Sequence, residues 1–113
     1  MKLIVAYIQP EAMNKVKQEL YARKIYKISV STVMGCGQQQ GYTESYRGIN
    51  NEVNLLKKLR IEIAVNEPFA RETIDAIIAG ARTGEIGDGK IFVLPVEECI
   101  RIRNGDIGEY AIG

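Results

Sequence analysis

The chain has 113 residues, enough for one domain with a real core and too few for two independent ones. Hydrophobic residues make up 46% and charged ones 26%, an ordinary globular balance, and no apolar run reaches the roughly 18 residues of a membrane span. With 15 basic residues against 14 acidic ones and no histidine, nothing points to bulk attraction for nucleic acid or anionic membrane, and imidazole acid–base or triad chemistry is excluded.

Lys2 to Ile8 is rich in strand formers and reads as a strand rather than a secretory leader, because Gln9-Pro10 and a charged segment follow at once. Pro10 stands where a first helical turn tolerates it. From Glu11 to about Lys24, Met13, Val16, Leu20 and Ala22/Arg23 form a helical stripe, with Lys15, Lys17, Gln18 and Glu19 left for solvent. Tyr26 to about Met34 alternates, Ile28, Val30 and Met34 on one side and Lys27, Ser29 and Ser31 on the other, which predicts a half-polar strand.

Residues 35–54 are polar, glycine-punctuated and aperiodic, a long loop for so small a domain, and such loops carry function more often than not. Leu55 to Val65 returns to strand alternation, with Leu59, Ile61, Ile63 and Val65 opposed to Arg60, Glu62 and Ala64. Asn66-Glu67-Pro68 has the chemistry of a helix start, and Phe69, Ile74, Ile77, Ile78 and Ala81 are the expected buried face. A tight glycine loop, residues 83–89, leads into a fourth strand from Lys90 to Val96.

The order is βαββαβ plus a tail, which predicts an α+β, ferredoxin-like single domain over residues 1–113 with both helices on one face of an antiparallel sheet. The first and fourth strands are apolar on both sides. A lone two-layer domain would leave one of those faces wet, so a closed homo-oligomer is expected.

Gly84-x-x-x-x-Gly89-Lys90 matches the start of a Walker phosphate loop, but Ile91 stands where a Mg-binding Ser or Thr is required and a helix, not a strand, precedes it. That reading is rejected. What survives is a glycine turn whose N–H groups can approach an anion beside Lys90, weighed evenly against a plain tight turn. Arg101-Ile102-Arg103 would place two guanidiniums on one side of an extended segment, though alternating Arg and Ile also suits an exposed edge strand. Lys58 and Glu62 read first as solvated strand residues. Gly35, Gly37 and Gly41 around Gln38, Gln39 and Gln40 suit either a hinge or a backbone that wraps a ligand. Tyr42, Tyr46 and Arg47 are residue types that dominate interface hot spots. Cys36 and Cys99 lack CxxC spacing and fit a reducing cytoplasm, Cys36 as a small hinge residue and Cys99 as a buried thiol.

Four segments taken together carry a resemblance. Thr43-Glu44-x-Tyr46-Arg47-Gly48, Lys58-Leu59-Arg60-Ile61-Glu62-Ile63, Thr83-Gly84-x-Ile86-Gly87-Asp88-Gly89-Lys90 and Ile100-Arg101-Ile102-Arg103-x-Gly105 resemble, in order and spacing, the PII nitrogen-regulatory family over essentially the whole chain. Gly35-Cys36-Gly37 and Glu52-x-Asn54 look closest to the ammonium-channel-associated PII proteins of low-GC Gram-positive bacteria.

The resemblance implies a homotrimer that binds ATP or ADP in the clefts between subunits and, with Mg-ATP, 2-oxoglutarate. On its terms Gly87, Asp88, Gly89 and Lys90 cradle phosphates and Arg101 and Arg103 of the neighbouring subunit neutralise them. Glu62 and Ala64 border the adenine, Ser29 replaces a threonine near the base, and Gly35, Gly37, Gln38 and Thr83 complete the nucleotide set. Gln39 would join the Mg shell, and Gly37, Gln39, Gln40, Gly41 and Lys58 would hold 2-oxoglutarate.

The loop over residues 37–55 is the expected flexible target-binding element, with Tyr42, Tyr46 and Arg47 as its docking residues. An ammonium channel is the first-choice partner, so the chain is expected in the cytoplasm and recruited to the membrane through that partner, without inserting in it. Asn51 and Ile49 replace the modified tyrosine and serine of relatives, so covalent control there is chemically closed. Gln38 and Gln40 replace cations, which should weaken preference for ATP over ADP. The second reading is a pure adenylate sensor for another transporter or a transcription factor. A small phosphatase of the same fold lacks a nucleophile with a base, and an RNA module would need stacking aromatics that strand 58–65 does not carry.

Overall fold

The computed structural model describes residues 1–35 and 55–113. Its elements are β1 (Lys2–Ile8), α1 (Met13–Ala22) after a 3-10 turn at Pro10–Ala12, β2 (Ser29–Gly35), β3 (Leu56–Val65), α2 (Glu67–Ala81), β4 (Gly89–Pro95) and a short α3 (Glu109–Ile112). The four strands form one antiparallel sheet in the order β2-β3-β1-β4. The expected α+β, ferredoxin-like arrangement is the one found.

The register explains the two faces. Ile4 pairs with Ile63, and Ala6 with Ile61 and Ile91, so this row lies under the helices with Ile8, Val16, Leu20 and Ile77 in one core, while Val93, opposite Ile4 on the edge strand β4, stays exposed. The alternate row, Leu3, Val5 and Tyr7 beside Phe92 and Leu94, lies on the face away from the helices. Phe92 and Leu94 stay exposed there, while Val5 is buried between its neighbours.

α1 ends two residues before the periodicity suggests. Lys24 adopts a left-handed φ of 63°, the Ile25 N–H bonds back to the Leu20 carbonyl at 2.9 Å, and the Lys24 N–H bonds to that of Tyr21 at 2.9 Å. This is a Schellman stop, anchored by burial of Ile25.

The buried face of α2 also differs from the expected one. It is Thr73, Ala76, Ile77, Gly80 and Ala81, with Phe69 half exposed. Gly80 decides this rotation: a Cβ there would stand 2.5 Å from the Val16 Cα, so only glycine lets α1 and α2 approach so closely. Thr73 can join the core because its hydroxyl donates to the Phe69 carbonyl at 2.8 Å. On β2, Val30 and Met34 share the helix side but stay exposed, since β2 is a sheet edge that the helices do not reach. Cys99, expected buried, is only partly so and is a free thiol.

Candidate functional site: a glycine loop, an open sheet face and a folded tail

α2 delivers the chain to residues 83–88, which turn directly into β4. Asp88 holds the turn from inside. Its carboxylate accepts from the Thr83 N–H at 2.7 Å, from the Gly84 N–H at 2.8 Å and from the Thr83 hydroxyl, and that hydroxyl accepts from the Glu85 N–H at 3.1 Å. Gly87 and Gly89 take φ values of 106° and 112°, conformations that L side chains rarely adopt.

The Thr83 hydroxyl, the two backbone donors and the nearby Arg82 charge hold the Asp88 carboxyl below its ordinary value. The folded pKa therefore lies under the unfolded one of about 3.9, so the stabilisation is complete above that value and is lost as pH falls through the folded pKa. Amide exchange at Thr83 and Gly84, corrected for intrinsic rates, is expected to stay flat from pH 7 to pH 5 and to rise selectively only below the ordinary carboxyl range, as Asp88 takes up its proton. Loss of that protection between pH 7 and pH 5, where a carboxyl held below its ordinary value is still ionised, would contradict this role.

The Gly87 carbonyl is pinned by Gln9 Nε2 at 2.7 Å and by Lys58 Nζ at 3.3 Å. Among the described residues no acceptor takes the N–H groups of Ile86 or Gly87, which sit at the centre of a turn. With its carbonyl turned to Gln9 and Lys58 and these donors free, the loop can receive an anion on its backbone.

Lys58, Arg60, Glu62 and Ala64 lie on the open face of β3, and Lys90 joins them through its pairing with Tyr7, itself opposite Arg60. Ser29 pairs with Glu62 across the β2–β3 ladder. Arg60 donates to Glu62 at 2.7 Å and lies over the Tyr7 ring, 5.7 Å from its centroid. At the end of β2, Gly35 lies beside the Lys58 stem.

One end of the molecule thus gathers Gly35, Lys58, Thr83 and residues 87–90. Arg101 and Arg103 are not among them. β4 leaves the sheet at Pro95, opposite Lys2, and the Val96 N–H bonds to the Met1 carbonyl at 3.1 Å, so the tail departs from the far end of β1, on the order of 20 Å from the loop.

The tail also corrects the expected extended Arg-Ile-Arg segment. Residues 102–104 are a turn, closed by the Ile100–Ile107 bridge and by Gly105 N–H to the Arg101 carbonyl at 2.8 Å. Asn104 and Gly105 impose it, the first by accepting from the Asp106 N–H at 3.0 Å and the second with a φ of 78°.

Gln9 and Asp106 belong to this arrangement without any motif that marks them in the sequence. Gln9, a lone amide closing an apolar strand, and the Asn104-Gly105-Asp106 turn were the available signals. Gly37, Gln38, Gln39, Gln40, Gly41, Tyr42, Tyr46 and Arg47, like Cys36, lie outside the described residues.

A pocket of about 360 Å³ opens on the helix side of the loop, lined chiefly by Ile8, Ile74, Ile77, Ile78 and Ile91. It touches Asp88 and Lys90 but lies across the sheet from Lys58 and Glu62, so it is a separate aliphatic hollow. Among the described residues no helix is long and apolar enough to cross a membrane, and no group of acidic or cysteine side chains could hold a metal.

Residues 1–106 match the family model described as nitrogen regulatory protein P-II. The chain is 48% identical over 114 residues to nitrogen regulatory protein GlnK1 of Methanosarcina mazei, an alignment covering 99% of this chain and 97% of the relative. It is 46% identical over 112 residues to nitrogen regulatory protein P-II 2 of Methanothermobacter thermautotrophicus, with 99% and 97% covered. Against nitrogen regulatory protein P-II of Cereibacter sphaeroides the identity is 44% over 112 residues, with 99% and 100% covered.

Proposed function

The chain belongs to the nitrogen regulatory P-II family and is a PII-type signalling protein, and from that premise we propose that it senses ATP and ADP in clefts between the subunits of a homotrimer. The observation that carries this reading is the division of the phosphate-binding groups within one chain. The glycine loop with Lys58 and Lys90 occupies one end of the sheet, and Arg101 and Arg103 leave from the other. A backbone anion nest and a pair of guanidiniums make a sound polyphosphate site only when they meet, and a neighbouring copy can bring them together. The exposed Phe92 and Leu94 on the helix-free face supply an apolar surface for such a neighbour.

In this reading Gly87, Asp88, Gly89 and Lys90 receive the phosphates and Thr83 sets the turn. Ser29, Glu62 and Ala64 border the base, and Gly35, Gly37, Gln38 and Gln39 close over it. 2-Oxoglutarate would use Gly37, Gln39, Gln40, Gly41 and Lys58, with Gln39 completing the shell of a Mg ion held by ATP. The whole chain acts as one domain. The 37–55 loop, through Tyr42, Tyr46 and Arg47, docks on a membrane transporter, an ammonium channel first, and brings a cytoplasmic protein to the membrane. Gln38 and Gln40 support the second reading, a pure adenylate sensor without 2-oxoglutarate binding that regulates another membrane transporter or a transcription factor.

Calorimetric titration with ADP, ATP and Mg-ATP plus 2-oxoglutarate tests the sensor, and saturable heat with ADP and ATP is expected. No heat with any nucleotide would sink it. For the docking half, Arg47→Ala should abolish recruitment to membranes carrying the channel, and unchanged recruitment would remove the loop from the mechanism.

A further inference from the structure

Asp106 is the hub of the folded tail. One of its carboxylate oxygens accepts from Arg101 Nη1 at 2.9 Å and from Asn104 Nδ2 at 3.1 Å, and its backbone carbonyl accepts from the Arg101 N–H at 2.8 Å. Arg101 Nη2 donates to the Tyr110 carbonyl of α3 at 2.6 Å. α3 is itself tied down, by Asn66 Nδ2 to the Glu109 carbonyl at 3.2 Å and by Lys27 Nζ to the Gly113 carbonyl at 2.9 Å. The Arg101 guanidinium is therefore gripped from two sides within the tail, by Asp106 and by the Tyr110 carbonyl of a helix anchored to the body of the chain. Arg103, two residues on, is exposed and has no partner among the described residues.

We infer that Asp106, with α3 behind it, is a positioning residue that orients Arg101 for a polyphosphate, an inference that rests on the nucleotide reading above. A guanidinium carries five N–H donors, and the grip on Arg101 uses two of them. The remaining three have no acceptor among the described residues and stay available for phosphate oxygens.

The contact with Asp106 engages a single N–H and an oxygen shared with Asn104, not the parallel two-bond pair that would match the guanidinium fork. It orients the charge without using up the fork. A long side chain ordered in advance loses little rotamer freedom when the ligand arrives. Arg101 is thus the fixed member of the pair and Arg103 the one that adjusts.

The test is ADP titration of the full-length protein as wild type, Asp106→Asn, Asp106→Glu, Arg101→Ala, Arg103→Ala and the Asp106→Asn/Arg101→Ala double variant. Asp106→Asn is expected to weaken ADP about tenfold, the order of one lost charge-assisted contact, with most of the loss restored by Asp106→Glu. On the Arg101→Ala background it should cost nothing further, because the two residues act as one unit. ADP binding as tight as wild type or tighter in Asp106→Asn would overturn the inference, since a bystander or a competing anion gives that sign. Losses that add in the double variant would overturn it too. If Arg101→Ala and Arg103→Ala both left ADP affinity intact, the nucleotide reading would fall first, a result separable from the others.

Discussion

Replacing Gly89 with alanine is expected to destabilise the protein by about 3 kcal/mol or more and to disable the glycine loop with it. Gly89 combines two demands that only glycine meets. Its φ of 112° is strained for any side chain, and a Cβ would fall 1.8 Å from the Tyr7 carbonyl oxygen, far inside contact distance. That oxygen belongs to central strand β1, and Gly89 pairs with Ile8 beside it, so relief requires β4 to move off the sheet. Gly84 is the control. Its φ is 91° but nothing lies within 4 Å of its missing Cβ, so Gly84→Ala should carry only the conformational penalty, about 1–2 kcal/mol. Urea unfolding of the two variants at one protein concentration, with wild type alongside, separates strain from clash. Equal losses at both positions would mean that the β1–β4 approach is not what requires glycine.

The strands and both long helices were legible because each obeys one period against one core. Ile4, Ala6 and Ile8, or Ile61, Ile63 and Val65, could not all be buried in any other register. What periodicity missed was set by single contacts. The stop of α1 depends on Lys24 entering left-handed space, and the rotation of α2 depends on Gly80 meeting Val16. The candidate site was legible in residue type more than in geometry. Gly87 to Lys90 stand where their pattern suggested, whereas Arg-Ile-Arg reads as a strand only until Asn104, Gly105 and Asp106 impose a turn. Gln9 was invisible because its role, holding the Gly87 carbonyl across 78 positions of sequence, is wholly non-local.

That long-range division of the site leads to the largest expected effect on binding. Lys90→Ala and Arg101→Ala should each weaken ADP by roughly 10- to 100-fold, the range for losing charge-assisted hydrogen bonds to a phosphate. The informative measurement is on the mixture. If every nucleotide cleft takes Lys90 from one subunit and Arg101 from the next, equal amounts of the two variants, unfolded and refolded together, assort at random. About one cleft in four then receives both native residues, about half lack one and about one in four lack both. Titration should show roughly a quarter of the sites at wild-type affinity, although neither parent has any. If a single chain built the whole site, each cleft would keep its own defect, and no tight fraction would appear at any mixing ratio. The geometry favours the first outcome, because β1 holds the glycine loop and the start of the tail at its opposite ends, and the bonds of Asn66 to the Glu109 carbonyl and of Lys27 to Gly113 keep the tail at the far one.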